Sequence, residues 1–132
     1  MAVAGLAIAA ALLGTLRWKP FRVGVRGSSM VPTLHEGDWA VAVRVRRIRR
    51  GQIVVIEHPD RPGFELVKRV VALPGETVGE RRLADDEYWV EGDDPTASTD
   101  SRRFGPIGRG LVRGRVWLVY LPSAHRRLVR RA

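Results

Sequence analysis

The apolar positions of this chain follow two different rules. Residues 1 to 16 carry no charged side chain at all, and Arg17, Trp18 and Lys19 end the run abruptly. A helix over those sixteen positions would rise roughly 24 Å, close to a hydrocarbon core of about 30 Å, and Trp18 and Phe21 can extend it. Residues 1–19 are therefore read as one N-terminal transmembrane helix, a single-pass membrane anchor, with residues 20–132 as the domain behind it. Basic residues follow the run instead of preceding it, which is the reverse of a cleaved signal peptide. The positive flank of Arg17, Lys19, Arg22 and Arg26 leans toward a cytoplasmic domain, and the side of the membrane is otherwise open.

Past Pro20 the period changes to two. Phe21 to Gly27 reads as extended, and Trp39 to Val45 alternates, with Trp39, Val41, Val43 and Val45 expected on the buried face. Ile53 to Glu57, Phe64 to Leu73, Tyr88 to Glu91 and Arg115 to Leu121 complete the predicted strands, separated by turns rich in proline and glycine. His35–Glu36–Gly37–Asp38 and the segment from His58 to Gly63 read as surface turns, and residues 125–132, with four arginines and no acid, as a solvated basic end. The pattern predicts a mainly β domain built on an antiparallel sheet.

Composition narrows the chemistry. The 132 residues suit one small domain, and the absence of cysteine excludes a disulfide framework, a thiol nucleophile and a thiolate metal site. The three histidines stand at no metal-ligand spacing, so neither a metal nor a cofactor is expected. Lys and Arg number 23 against 14 Asp and Glu, a net charge of +9. That balance, with the run Arg46–Arg47–Ile48–Arg49–Arg50 and the basic end, also fits a membrane-tethered module binding anionic lipid or nucleic acid without peptidase activity.

Three stretches place reactive residue types in constrained backbone. In Gly27–Ser28–Ser29–Met30–Val31–Pro32–Thr33–Leu34 a serine pair is held between a glycine and a proline. In Phe64 to Gly75 the strand period sets Phe64, Leu66, Lys68, Val70 and Ala72 on one face, leaving Lys68 the only charge in an apolar row. Such a lysine either reaches solvent or has its ammonium form disfavoured, as a general base at neutral pH requires. Gly92 to Gly105 is dense in hydroxyls and paired opposite charges. A Ser/His/Asp triad drawn from Ser29, His35 and Asp38 competes only through closeness in sequence.

Gly-x-Ser-Met-x-Pro-Thr-Leu, then Lys-Arg-Val-Val-Ala-Leu-Pro-Gly-Glu, then Gly-Asp-x-x-x-x-Ser-x-Asp-Ser-Arg-x-Phe-Gly, in that order behind an apolar segment, resembles the type I signal peptidases, membrane-bound serine peptidases with a Ser/Lys dyad. The resemblance covers roughly residues 22–121 and implies a curled antiparallel sheet of the signal-peptidase and LexA-like type. It also implies Ser29 as nucleophile, with its backbone amide in the oxyanion hole, and Lys68 as general base. Ser98 matches the serine that orients the lysine, and Asp100, Arg102 and Arg69 match charged positions that hold the site together through an Asp100 ion pair. The implied partners are membrane lipid and a precursor protein bearing a signal or leader peptide, with no nucleic acid. Two positions depart from the family pattern. Gly27 stands where some members carry a second oxyanion donor, which leaves that donor open, and Asp94 replaces an asparagine. Only 29 residues lie between Lys68 and Ser98, too few for the large added domain of many secretory members. This short form is similar to the peptidases that remove the leader of nickel-type superoxide dismutase precursors, and mitochondrial inner-membrane peptidases are similarly compact.

Overall fold

The computed structural model describes residues 19–131. The predicted anchor helix lies outside that range except for Lys19, and among the described residues no helix is long and apolar enough to cross a membrane. The domain is mainly β. Its main sheet is antiparallel and contains β1 (Phe21–Gly24), β2 (Trp39–Val43), β3 (Ile53–Glu57), β4 (Glu65–Ala72), β7 (Glu87–Glu91), β8 (Ile107–Gly108) and β9 (Val112–Leu121). Their spatial order is β1-β2-β9-β3-β4-β7-β8, with β10 (Arg127–Leu128) also paired to β9. A separate hairpin of β5 (Thr77–Val78) and β6 (Arg81–Arg82) projects from the chain between β4 and β7.

The late strand β9 is the joint of the sheet. It pairs with β2 on one side and β3 on the other, both antiparallel, so strand pairing joins the β1-β2 half to the β3-β4-β7 half only through it. Gly114 permits this closeness, because a Cβ there would stand 2.6 Å from the Val43 carbonyl oxygen. Two apolar clusters form the core. One gathers Met30, Leu34, Ala40, Ala42, Ile53, Val55, Val116 and Val119, and the other Val54, Ile56, Val70, Tyr88, Val90 and Ile107. Strand β3 supplies both, Ile53 and Val55 to one and Val54 and Ile56 to the other, which explains why its apolar run is unbroken.

Strand β2 corrects the predicted alternation. Ala40 and Ala42 are fully buried, while Trp39, expected inside, is 46% exposed. The register of β2 against β9 shifts between Trp39 and Ala40 and again between Val41 and Ala42. Such irregularities re-aim side chains, so a strict period of two fails here and Val43 is buried beside Ala42. The basic end is not simply solvated either: β10 adds to the sheet, and Arg127 donates to the Thr33 carbonyl.

Candidate active site

The segment from Ser28 to Leu34 is a compact turn anchored from below. Val31 N–H donates to the Ser28 carbonyl (3.1 Å), and Thr33 and Leu34 N–H both donate to the Met30 carbonyl (2.8 and 2.9 Å). Met30 and Leu34 are sunk in the core, and Gly27, at φ +74°, makes the bend that leads in. Ser29 therefore stands half-buried at the top of a turn fixed on both sides, and Ser28 beside it is exposed.

Lys68 comes from the middle of β4, where it pairs with Val54 of β3. Lys68, Val70 and Ala72 are all buried, as the strand period predicts, whereas Phe64 falls before the strand and is exposed. Lys68 is 2% exposed, and its Nζ donates to Ser29 Oγ at 2.9 Å. Burial pushes its pKa below the ordinary value; the Asp100 carboxylate opposes that shift and the Arg102 charge adds to it.

Asp100 is buried and saturated. Its Oδ2 accepts from Ser98 Oγ (2.5 Å), the Gly92 N–H (2.9 Å) and an Arg102 guanidinium nitrogen (2.6 Å), and its Oδ1 accepts from Arg102 Nε (3.0 Å) and the Arg102 N–H (3.1 Å). Burial alone would raise its pKa, but these donors hold it well below the usual carboxylate range. Asp100 also caps the short helix α1 (Ser101–Phe104). Ser98 Oγ donates to Asp100 and accepts from the Gly92 N–H (3.1 Å), so the structure joins it to the aspartate and not, as expected, to the lysine.

Arg69 is a second departure. Its guanidinium grips Asp93 through two parallel bonds, Nε to Oδ1 (2.8 Å) and a terminal nitrogen to Oδ2 (2.7 Å), and donates to the Gly51 carbonyl (2.7 Å). Thr33 Oγ1 donates to Asp93 Oδ2 (2.6 Å). Asp93 thus ties β4 to the far end of the Ser29 turn, while the Asp94 N–H donates to the Ser29 carbonyl (2.8 Å). The expected ion pair of Asp100 is with Arg102 alone; that of Arg69 is with Asp93. Sequence reasoning passed over Asp93 and Thr33, although Asp93 stood in the third stretch as one of two adjacent acids. Replacing Arg69 with lysine should destabilise the domain by about 2 kcal/mol, since a point charge cannot reproduce the two-pronged grip. Urea denaturation checks this, and Arg109→Lys serves as the comparison.

The positive charge collects elsewhere. A cavity of about 1090 Å³ is lined by Lys19 and seven arginines between Arg44 and Arg131, and none of Ser29, Lys68, Ser98 or Asp100 reaches it.

A half-buried hydroxyl facing an amine whose protonated form is disfavoured, on an antiparallel sheet, is the pairing that a lysine-based serine hydrolase needs. The chain belongs to the signal peptidase family: the family model described as "Signal peptidase, peptidase S26" matches residues 1–82 and 78–121. Mitochondrial inner membrane protease subunit 1 of Mus musculus is 36% identical over 110 residues, 73% of this chain and 66% of the relative. Subunit 2 of Danio rerio is 34% identical over 123 residues, covering 79% and 66%. Mitochondrial ATP-independent inner membrane protease subunit 1b of Arabidopsis thaliana is 35% identical over 124 residues, covering 80% and 73%. The chain thus spans just under two thirds of the length of the first two of these relatives.

Proposed function

We propose that this protein is a membrane-anchored serine endopeptidase that removes N-terminal signal or leader peptides from precursor proteins, with Ser29 as nucleophile and Lys68 as general base. The observation that carries the reading is the 2.9 Å contact between Ser29 Oγ and a lysine amine that is almost fully buried. The neutral Lys68 amine accepts the Ser29 proton as Oγ attacks the scissile carbonyl, and the ammonium so formed gives that proton to the departing amine. The resulting ester is hydrolysed by water, with Lys68 again taking the proton. The Ser29 amide is assigned as one oxyanion donor; losing such a donor costs on the order of 3 kcal/mol in the barrier. Ser98, Asp100 and Arg102 act on the lysine indirectly, by setting a fixed negative charge near it, and Arg69 holds the Ser29 turn through Asp93. Residues 1–19 are the proposed anchor and residues 20–132 the proposed catalytic domain; the relatives, named as inner membrane proteases, support a membrane location.

The test is mass spectrometry of a secretory preprotein and a nickel superoxide dismutase precursor after incubation with the detergent-solubilised protein and its Ser29→Ala variant. A Ser29-dependent cut near the end of the leader supports the peptidase and identifies the precursor class. Intact precursors in both reactions would refute cleavage of these two classes.

The pH dependence follows from the lysine. The reactive form is the neutral amine, so kcat/KM should fall as pH drops through the lowered Lys68 pKa and rise toward a plateau above it. The stability sign agrees: between the folded pKa and the ordinary value of 10.5 the unfolded chain binds a proton that the folded chain does not. The contribution of Lys68 to stability therefore increases with pH across that window. A rate profile flat into the acid range would contradict a lysine base.

A further inference from the structure

Two of the three histidines of the chain meet at one place away from Lys68. His35 and Asp38 end the turn that begins at Ser28, and His125 follows β9. Asp38, expected on the surface, is 1% exposed. Its Oδ2 accepts from the His35 N–H (2.9 Å), and its Oδ1 lies 2.7 Å from His125 Nδ1. The two imidazole rings stand 5.7 Å apart between centroids and tilt by 46°. One donor atom from each of the three side chains lies within 4.8 Å of the other two. No sequence spacing could reveal this group, because 87 residues separate Asp38 from His125.

We propose that His35, Asp38 and His125 form a binding site for a divalent transition-metal cation, of which Zn²⁺ is the representative. Zinc takes nitrogen at about 2.0–2.1 Å and carboxylate oxygen at about 2.0–2.2 Å, and three protein ligands with one solvent position is a common arrangement. Neighbouring donors around one tetrahedral ion stand roughly 3.3 Å apart, so Asp38 Oδ1 and His125 Nδ1, now 2.7 Å apart, need to open slightly, and the His35 nitrogen, within 4.8 Å of both, needs to settle at the same spacing. Both imidazoles are on exposed residues and can do so by rotamer adjustment, while the carboxylate is held by the backbone of the turn. Two nitrogens and one oxygen suit zinc better than magnesium or calcium, which prefer all-oxygen sets. Arg127 stands close enough to act on the Asp38 charge, which sets the affinity below that of a site with no neighbouring cation. Bound metal would join the far end of the Ser29 turn to the segment after β9, adding a covalent-like tie to the Asp38–His125 contact and the Arg127 bond to the Thr33 carbonyl that now link these two parts of the chain.

The site shares no residue with the Ser29–Lys68 pair, so its test is independent of the peptidase reading. The tag-free, detergent-solubilised full chain is freed of metal with a chelator, then titrated with Zn²⁺ by calorimetry and with Co²⁺ by visible absorption. The expected result is one equivalent bound, with the intense visible bands of low-coordinate Co²⁺. His35→Ala and His125→Ala should each weaken binding at least tenfold, with far-UV circular dichroism unchanged, and His58→Ala should leave it intact. No binding of either ion, or binding that survives both His35→Ala and His125→Ala, would overturn the proposal. So would equal loss in His58→Ala.

Discussion

Replacing Ser29 with alanine is expected to lower kcat on a cleaved precursor by on the order of 10⁶-fold, because no other hydroxyl of the turn is hydrogen-bonded to the Lys68 amine. Lys68→Met should come close to the same floor, and the double variant should be no slower than either single one, since two groups that act as a unit do not contribute additively. The methionine also isolates chemistry from folding. It fills about the volume of the lysine stem in the same apolar row and has no amine to desolvate, so its thermal midpoint at neutral pH should equal or exceed that of the parent. Single-turnover cleavage followed by mass spectrometry reads the first effect, and a thermal melt reads the second. Near-parental turnover in either single variant would remove the dyad, whatever the melt showed.

Gly92→Ala should be the most damaging small substitution. Gly92 is fully enclosed, and a Cβ there would collide with the Ser98 side chain and stand 2.6 Å from the Ser29 carbonyl oxygen. Its N–H already donates to both Ser98 and Asp100. The methyl has no flexible neighbour to displace without moving the Ser29 turn or the Asp100 network, so overpacking should cost about 1–3 kcal/mol. A displacement near 1 Å at the reacting atoms is worth about 10²-fold in rate, which predicts a fall in kcat larger than the loss of stability would explain. Gly110→Ala, where a Cβ meets nothing within 4 Å, is the control and should change neither quantity appreciably. Equal behaviour of the two variants would show that the close approach at Gly92 is not what limits the site.

How far the sequence could be read depended on how local the signal was. Ile53–Glu57 was found to the residue because an unbroken apolar run needs no partner to define it. Period two alone set Lys68 in an apolar row and left open whether it reaches solvent; its burial on the side facing Ser29 is what the structure adds. Strand β2 failed the same rule because its register shifts against β9, an event set by a partner some 75 residues away along the chain. The missed β5-β6 hairpin consists of two residues per strand, too short to show any alternation. At the site, side chains within one motif were legible, as in the Asp100–Arg102 pair two residues apart. Contacts between motifs were not: Arg69 finds Asp93 24 residues on, and Thr33 reaches Asp93 across 60. Asp38 looked like a turn acid because its local bond to the His35 N–H is what a turn offers, while the side-chain partner that completes its burial, His125, lies 87 residues on.

The place of β9 in the sheet sets a condition on synthesis. Ser29 rides on the β1-β2 half and Lys68 on the β3-β4 half, and the strand that hydrogen-bonds the two halves together spans Val112–Leu121, after every residue of the site. Contacts of such long sequence separation form late. A nascent chain on the ribosome carries Ser29, Lys68 and Asp100 long before it carries the strand that registers them, so on the proposed reading proteolytic competence should arrive in one step, only after Leu121 has left the ribosome. Chains released before that point would hold the three side chains without the alignment that the proposed chemistry needs.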